Sequence, residues 1–341
     1  MSAIRNWCFP VRVLSGACAW AAAMALSGAV TLSHAQQSAW RPQKTVEIVI
    51  PSSAGSSMDA AARMIQGQLQ EGRIVDVPVV SVNKSGGGGS LATNYLDQQA
   101  GDGHFMFFST MSLMNNHILG RAKTNYTDYT PIALVFTEHM TIVVQADSPF
   151  KTGRDFMAKL KDNPDSLAIA IGLARGGTGH LNIALVTKAM GIDARKLKTV
   201  IFDGNAKALA ALLGGHVDLS SMSFAQAWAQ SQQGKLRIVG VAAERRGEGV
   251  LADIPTWKEQ GFDVVFTNVR LMFGPKGMTP AQAAYWDAAL QRVLQSERWK
   301  KFAEANHYVP GYIGHAQAPK HMAALYAQLK SALVEVGMAK E

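Results

Sequence analysis

The sequence is poor in cysteine and in charged residues. Its two cysteines, Cys8 and Cys18, lie close to the N-terminus, and charged residues make up 17% of the chain against 48% for hydrophobic ones. The chain beyond Cys18 can therefore form no disulfide, bind no metal through a thiolate and use no cysteine nucleophile. A chain of 341 residues without these supports must rely on a large apolar core, and its length favours two lobes.

Catalytic and metal-binding motifs are also lacking. The sequence contains no His-Glu-x-x-His, no Gly-x-Ser-x-Gly and no paired histidines at metal-ligand spacing. We therefore expect no catalytic residue, no bound metal and no cofactor. One alternative stays open at this point: a secreted α/β hydrolase or transferase that uses Asp203, Asp218 or His180 for acid–base chemistry.

The first 35 residues have the pattern of a cleaved signal peptide. Arg5 and Arg12 precede an apolar run over residues 13–32, which is followed by Ser33-His34-Ala35. A retained membrane anchor is the competing interpretation, because the run is nearly long enough to span a bilayer. Its serine, glycine and alanine content makes it only moderately hydrophobic, so we expect export and cleavage after Ala35.

The remaining chain is modestly basic. Removing Arg5 and Arg12 lowers the net charge from +8 to +6, since residues 1–35 contain no acidic residue. The excess charge is spread over separate basic pairs and forms no stripe with interleaved aromatic residues. This distribution disfavours nucleic-acid binding, whereas a small anionic ligand remains compatible with it.

Short apolar runs rich in β-branched residues alternate with helical patterns from Val46 onward. This alternation predicts an α/β fold with largely parallel sheets. The predicted strands are 45–50, 77–82, 105–109, 132–136, 141–145, 168–172, 199–202, 219–222, 237–242 and 264–273. The predicted helices are 58–70, 89–99, 153–163, 179–189, 207–214, 224–233, 281–296 and 320–336.

Two long β-rich segments are candidates for crossings between two lobes. They cover residues 132–145, interrupted briefly at Glu138-His139, and residues 264–275. If the chain crosses twice, residues 36–139 and 266–341 form a discontinuous first lobe and residues 140–265 a continuous second lobe. The hinges then lie near 137–141 and 264–268, an arrangement suited to closure around a ligand.

The segment from Val49 to Asp59 reads as strand, tight loop and helix. Its loop, Ser52–Ser57 (the first loop), consists of serine, alanine and glycine. Such a loop leaves backbone N–H groups uncovered at the positive end of a helix dipole, where a carboxylate or phosphate binds favourably. An ordinary βα turn with a serine cap is the alternative.

Two further loops have the same strand–loop–helix setting. Ser85–Ser90 (the glycine-rich loop) fails the dinucleotide pattern, because Leu91 stands where the third glycine belongs. The segment ending in Gly176–His180 (the second loop) has phosphate-loop glycine spacing but places Thr178 where the lysine must be. It remains an anion-accepting helix start. Arg175, the only cation in the three loops, is a candidate carboxylate partner or a solvated loop arginine.

Together and in order, these loops and several later segments resemble the periplasmic substrate-binding proteins of tripartite tricarboxylate transporters, the Bug receptors. The resemblance covers essentially the whole chain after residue 35. The segments that carry it are Val46–Asp59, Val80–Ser90, Gly176–Leu181, Asp203–Ala206, Leu212–Leu219, Gly234–Arg237, Asp253–Thr256 and Phe273–Gly277.

The resemblance implies a two-lobed Venus-flytrap fold, each lobe a mostly parallel sheet flanked by helices. It also implies a receptor that captures a small organic carboxylate, usually a dicarboxylate, and delivers it to a membrane permease. We expect the ligand to be a dicarboxylate or an aromatic acid and the protein to be a monomer. In this family backbone amides, hydroxyls and water grip the acid, not an arginine clamp. The ligand-binding residues implied here are Ser52, Ser53, Ala54, Gly55, Ser56, Ser57, Asp59, Ser109, Thr110, Met111, Gly176, Gly177, Thr178, Gly179, His180, Asp203 and Gly204.

Two departures from the family pattern bear on the ligand. Gly55-Ser56-Ser57 replaces a glycine run and adds two hydroxyls, and Asp203 stands where the family commonly has lysine. An Asp203 facing the cleft would favour a ligand with a hydroxyl, an amine or a single carboxylate, whereas an outward Asp203 would impose nothing. A cleft lined by methionines would suit an apolar ligand body, although methionine is more often core packing. The candidates are Met58, Met111, Met114 and Met272.

Overall fold

A computed structural model describes residues 40–248 and 252–340. The predicted signal peptide lies outside the described residues. The chain divides into two units, Met1–Trp40 and Arg41–Glu341, and every element below belongs to the second. Across the described residues, no helix combines the length and apolarity needed to cross a bilayer.

The described chain contains ten strands, ten α-helices and three short 3₁₀ helices. The strands are β1 (Val46–Ile50), β2 (Val79–Asn83), β3 (Phe105–Thr110), β4 (Thr130–Gln145), β5 (Ile169–Gly172), β6 (Thr199–Phe202), β7 (Leu219–Ser223), β8 (Leu236–Val241), β9 (Thr267–Gly274) and β10 (Val309–Ile313). The helices are α1 (Ser57–Glu71), α2 (Ser90–Asp97), α3 (Ser112–Ile118), α4 (Gly153–Asp162), α5 (Thr178–Lys188), α6 (Asn205–Leu213), α7 (Phe224–Ser231), α8 (Pro280–Gln295), α9 (Glu297–Ala305) and α10 (Ala318–Glu335).

The strands form one continuous mixed sheet. Its order is β2-β1-β3-β9-β4-β7-β5-β6, and β8 and β10 also pair with β4. The outer pairings of β1 with β2 and β3, and of β5 with β6 and β7, are parallel. Every pairing made by β4 or β9 is antiparallel. The α/β class is therefore confirmed, but the long central strands make the sheet less parallel than the alternation of strands and helices suggests.

Strand β4 runs through both parts of this sheet. Its first half, from Thr130 to His139, pairs with β9, and its second half, from Met140 to Gln145, pairs with β7 and β8. The two strands predicted at 132–136 and 141–145 are thus one strand. The polar pair Glu138-His139 does not break it, because the backbone stays in the ladder and the Glu138 side chain finds partners on β9.

Three elements are missing from the sequence prediction. Helix α3 is short and contains Asn115 and Asn116, so its helical pattern is weak. Strand β10 contains Pro310 and Gly311 and pairs with β4 through an irregular register, as edge strands with proline do. Helix α9 follows α8 after Ser296 alone, which ends one helix and caps the next through its hydroxyl.

The predicted first strand lies at the centre of its part of the core. Val46, Ile48, Val49 and Ile50 are fully buried, as a continuous apolar run predicts for a parallel strand that is covered on both faces. The carboxyl end of β1 is therefore fixed by packing on both sides. The loop that follows it is held at a defined position beside the carboxyl end of β3.

Candidate ligand-binding cleft

The first loop connects β1 to α1 and is held by its own side chains. Ser56 is the N-cap of α1, and its hydroxyl accepts a hydrogen bond from the Asp59 N–H at 3.2 Å. Gly55 has a φ of +79°, which only glycine adopts readily, and its N–H donates to Asp59 Oδ2 at 3.0 Å. Ala54 and Gly55 are exposed, whereas Ser52, Ser56 and Ser57 are buried.

The carboxylate of Asp59 holds the first loop in place through hydrogen bonds. Besides Gly55, it accepts hydrogen bonds from Asn83 Nδ2 at 3.0 Å and from Arg63 Nε at 3.1 Å. Burial alone would raise the pKa of Asp59, but the bonds from Arg63, Gly55 and Asn83 outweigh burial and hold the pKa below its usual range. The carboxylate is therefore ionised at neutral pH and already engaged by three donors.

The second loop connects β5 to α5 and is held differently. Gly177 is the N-cap of α5 and has no side chain with which to cap the first-turn N–H groups. Gly176 has a φ of +72°, and its N–H donates to His180 Nδ1 at 2.7 Å. Its carbonyl accepts from Asn115 Nδ2 at 2.9 Å. The Thr178 N–H donates to Ser112 Oγ at 3.4 Å. The start of α5 thus leaves the N–H groups of Gly179 and His180 for the cleft, with the Thr178 hydroxyl beside them.

His180 is a buried, neutral anchor. Its burial, followed by the nearby charges of Arg175 and Arg121, lowers the pKa of the imidazole to about 4. Nδ1 accepts the Gly176 N–H, so the proton resides on Nε2, which has no partner among the described residues. At neutral pH the ring serves as a hydrogen-bond acceptor that fixes the second loop.

The two loops face one cavity of about 20 Å³, roughly the room that one water molecule requires. Ser52, Ser56 and Ser57 line it from the first loop, and Thr178 and Gly179 from the second. The remaining wall is formed by Met58, Thr110, Met140, Gly172, Leu173, Asn205, Asn268 and Arg270. Two helix N-termini therefore converge on a small, largely polar space.

Direct contacts close this cavity around its edges. Ser223 Oγ donates to Ser57 Oγ at 2.9 Å, and Ser112 Oγ lies 3.5 Å from Thr178 Oγ1. Gly204 has a φ of +155°, and a Cβ at this position would lie 2.6 Å from Ser53 Oγ. The backbone at Gly204 is thus pressed against the first loop, and only glycine fits there.

A buried charged cluster forms part of the cavity wall, and the sequence analysis missed it. Arg270 is 3% exposed and Glu138 is fully buried. Arg270 Nη2 donates to Glu138 Oε1 and, at 3.1 Å, to Ser57 Oγ. Asn268 Nδ2 also donates to Glu138 Oε1, at 2.9 Å. Burial raises the pKa of Glu138, although Arg270 and Asn268 oppose the rise.

A sequence signal for this cluster exists. Glu138 interrupts one of the two predicted crossing segments, and Arg270 interrupts the other. A single charge inside an otherwise apolar strand must be paired or functional, because an isolated buried charge is very costly. Opposite charges on two strands that cross at the same place could therefore have been matched.

A larger pocket of about 270 Å³ lies next to the smaller cavity and shares Thr110 and Leu173 with it. Ser109 and Thr110, at the end of β3, line it, and Thr110 also lines the smaller cavity. Gly87–Gly89 of the glycine-rich loop and Arg121 form other parts of its wall. The Gly88 carbonyl accepts from Asn116 Nδ2 at 2.9 Å, so α3 holds the glycine-rich loop in place.

Several predicted residues lie outside both cavities. Asp203 forms an exposed ion pair with Lys207 at 2.8 Å, the outward arrangement that imposes nothing on the ligand. Arg175 is exposed. Met111 and Met114 pack in the hydrophobic core, Met272 is fully buried, and Met58 alone among the four candidate methionines lines the smaller cavity.

The residues of the hydrolase alternative have separate partners. Asp218 Oδ2 accepts the Ala168 N–H at 2.7 Å, Asp203 pairs with Lys207, and His180 is bound to Gly176. Within residues 40–248 and 252–340, no group of three histidine, cysteine or acidic side chains could hold a metal ion. The geometry gives these three residues structural roles.

The sequence matches a family model described as "Tripartite tricarboxylate transporter family receptor" over residues 61–337. Among curated relatives, the UPF0065 protein in the gbd 5′ region of Cupriavidus necator is 28% identical over 326 residues. That alignment covers 94% of this chain and 96% of the relative.

Solved structures share the fold. The periplasmic binding protein BugD has a TM-score of 0.81 at 24% identity and covers 88% of this chain and 100% of its own. The Rhodopseudomonas palustris protein Rpa4515, solved with adipate, has a TM-score of 0.80 at 22% identity, over 87% and 99% of the two chains. MatC from the same organism, solved with malate, has a TM-score of 0.77 at 24% identity, over 86% and 99%. The two-lobed periplasmic-binding-protein fold is confirmed.

Proposed function

Since the chain belongs to the tripartite tricarboxylate transporter receptor family, we propose that it captures a small organic carboxylate between the first and second loops and delivers it to a membrane permease. Members of this family are periplasmic substrate-binding receptors and not enzymes. The hydrolase alternative is therefore set aside. We also propose that the chain acts as a monomer and reaches the periplasm after cleavage at Ala35.

One observation supports the carboxylate above all others: two helix N-termini face the same cavity. Ser56 and Ser57 begin α1 on one side, and Thr178 and Gly179 begin α5 on the other. Each N-terminus carries a partial positive charge and N–H groups that stabilise an anion by about 0.3–1 kcal/mol where exposed and by more where buried. Their convergence suits one carboxylate group better than a neutral ligand.

The rest of the ligand is proposed to be a dicarboxylate or an aromatic acid. Two structural neighbours hold dicarboxylates, malate and adipate. The larger pocket beside Thr110 offers room for a ligand body, and Arg121 in its wall offers a cation for a second carboxylate. Because the outward Asp203 places no acid in the cleft, a doubly charged ligand remains acceptable.

Ligand entry requires the lobes to separate, because about 20 Å³ is too small for a dicarboxylate. We propose that lobe 1 comprises residues 36–139 and 266–341 and that lobe 2 comprises residues 140–265. The hinges are then near 137–141 in β4 and near 264–268, at the start of β9. The change of β4 partners at His139 and Met140 supports the first of these positions.

A ligand panel tests the proposed function. The mature protein is incubated with malate, adipate, benzoate and the methyl esters of the three acids, while thermal shift, heat of binding and product formation are recorded. We expect saturable stabilisation by at least one acid, none by its ester, and no product. Binding of no acid, or equal binding of acid and ester, would overturn the carboxylate assignment, and steady product formation would overturn the receptor.

A cellular experiment tests delivery. Deleting the gene should abolish uptake of the carboxylate that binds in vitro, and restoring the full chain should recover it. N-terminal sequencing of the periplasmic form tests cleavage after Ala35, and light scattering of the purified protein tests the monomer.

A further inference from the structure

The charged cluster in the cavity wall is poorly satisfied by the protein itself. Arg270 Nε, Glu138 Oε2 and Asn268 Oδ1 are buried and have no hydrogen-bond partner among the described residues. A buried donor or acceptor without a partner is destabilising, and well-packed apolar side chains often replace a buried ion pair without loss of stability. A cluster that only joined β4 to β9 would be expected to satisfy these atoms.

The guanidinium of Arg270 lies at the start of α1. Its Nη2 reaches Ser57 Oγ at 3.1 Å, and Arg270, Asn268 and Ser57 all line the cavity that the two loops face. Ser57 Oγ also accepts a hydrogen bond from Ser223 Oγ. With both of its acceptor positions engaged, the Ser57 hydroxyl keeps its own proton for a further acceptor.

The positively charged guanidinium of Arg270 therefore lies at the same cavity as the two helix N-termini. Helix ends supply only partial charges, whereas a buried guanidinium supplies a full charge and two or more N–H groups in one plane. Of the side chains that line the cavity, Arg270 is the only ionisable one. An anion bound at Ser57 would lie within hydrogen-bonding reach of the Arg270 guanidinium.

We propose that Arg270 is a ligand-binding residue whose guanidinium donates to the same carboxylate that the start of α1 binds, and that Glu138 is the positioning residue which holds this guanidinium. The proposal rests on the proposed function and goes beyond the backbone-dominated grip that the family resemblance implies. Glu138 fixes the guanidinium through Oε1, while its negative charge opposes an incoming anion. The affinity for carboxylates is therefore set by the balance between the two side chains.

This arrangement predicts opposite effects for the two partners. Glu138→Gln keeps an oxygen acceptor and nearly the same shape but removes the opposing charge, so carboxylate affinity should rise by about three- to tenfold. Arg270→Gln removes the cation, so affinity should fall by about thirtyfold or more. A purely structural cluster would lose affinity in both variants, because either change would disturb the same packing.

Stability of the single Arg270 variant is a separate concern, since it leaves Glu138 buried without its cation. The double variant Glu138→Gln/Arg270→Met removes both charges and keeps the volume, and it should fold with wild-type thermal stability. It should bind carboxylates about three- to tenfold more weakly than the wild type, because it lacks the cation of Arg270 and also the opposing charge of Glu138. Arg237→Gln is the matched control, because Arg237 donates to the backbone carbonyls of Ala146, Ser148 and Phe150, in the segment after β4, and lines neither cavity.

Calorimetry with malate, adipate and benzoate decides the outcome. Because Arg270 is assigned to the carboxylate at Ser57, the affinities for benzoate and for the two dicarboxylates should fall by the same factor in the Arg270 variants. Wild-type affinity in the folded double variant, or a loss of affinity in Glu138→Gln, would overturn the role of Arg270 and leave the receptor intact. A wild-type protein that binds none of the three acids would overturn the proposed function and this inference with it.

Discussion

The first and second loops are held by the same kind of hydrogen bond, but the accepting side chain differs between them. In each, a glycine with positive φ donates its N–H to a side chain four residues later, on the first turn of the following helix. The partner is the carboxylate of Asp59 in the first loop and the imidazole of His180 in the second. The two sides of the cleft thus have matching backbone shapes supported by different side chains.

Because of this difference, the geometry of each loop depends on different groups. The first loop is capped by the Ser56 hydroxyl and supported by an ionised Asp59, so its geometry comes from side chains. The second loop has glycine at its N-cap and a neutral His180, so it offers uncovered backbone groups and tolerates acid poorly. We therefore expect side-chain changes to affect the first loop more, and protonation to affect the second loop more.

The largest predicted effect is a loss of stability in acid through His180. The folded pKa of about 4 lies below the ordinary 6.5, so between these values the unfolded chain binds a proton that the folded chain does not. The contribution of His180 to the free energy of unfolding is fully present above pH 6.5. It decreases as the pH falls towards 4, by at most about 1.4 kcal/mol per pH unit.

Urea unfolding at pH 7, 6 and 5 measures this slope. His180→Gln should flatten it, leaving a smaller slope from His139 and His307, whose pKa values burial also lowers. Asp59→Asn is the control and should leave the slope unchanged, because the Asp59 pKa lies below this window. Parallel slopes in wild type and His180→Gln would show that the second loop has no acid-sensitive anchor.

Replacing Ser57 should give the second largest effect, on binding. Ser57→Leu places a bulky side chain in a cavity of about 20 Å³ and removes the hydroxyl that meets Arg270 and Ser223. Affinity should fall about a hundredfold, roughly 2.7 kcal/mol. Ser57→Ala keeps the backbone N–H and should cost about tenfold or less. Calorimetry that finds both variants at wild-type affinity would remove the first loop from the site.

A third prediction concerns the contact between Gly204 and the first loop. Gly204→Ala would place its Cβ 2.6 Å from Ser53 Oγ and push the loop away. We expect about tenfold weaker binding, roughly 1.4 kcal/mol. Gly191→Ala is the control, because Gly191 also has positive φ, +76°, but a Cβ there would meet nothing within 4 Å. Equal affinities for the two variants would mean that this contact does not shape the closed cleft.

The smallest predicted effect compares the two helix starts directly. Ser56→Ala removes the N-cap of α1 and should lower the free energy of unfolding by about 1 kcal/mol. Thr178→Ala removes a hydroxyl that caps nothing, since the N-cap of α5 is Gly177, and should change it by less than about 0.5 kcal/mol. Chemical denaturation of the two variants is the measurement, and the reverse order would contradict the comparison.

Most of the fold was predictable because buried strands and amphipathic helices have distinct periods. Strand β1, helix α1 and the start of α5 all lie within two residues of their predicted bounds. The continuity of β4 was not predictable from its own residues, since Glu138 resembles a break. Its partners, Asn268 and Arg270, lie more than a hundred residues away along the chain.

The site divides in the same way. Glycine and serine in the two loops predicted bare helix starts, because small residues after a buried strand leave backbone N–H groups uncovered. The orientation of Asp203 depended on Lys207, and the role of Asp59 depended on Asn83 and Arg63, neither of which the loop sequence reveals.

The sequence alone determined the α/β architecture, the two loop chemistries and the family resemblance, since each depends on local spacing of residue types. Only the tertiary structure decided that the two helix starts face one cavity, that Asp203 points to solvent, and that Arg270 meets Ser57. These facts depend on which distant strands lie side by side. That pairing is set by the packing of the whole sheet, in which no single segment carries enough information to choose its neighbour.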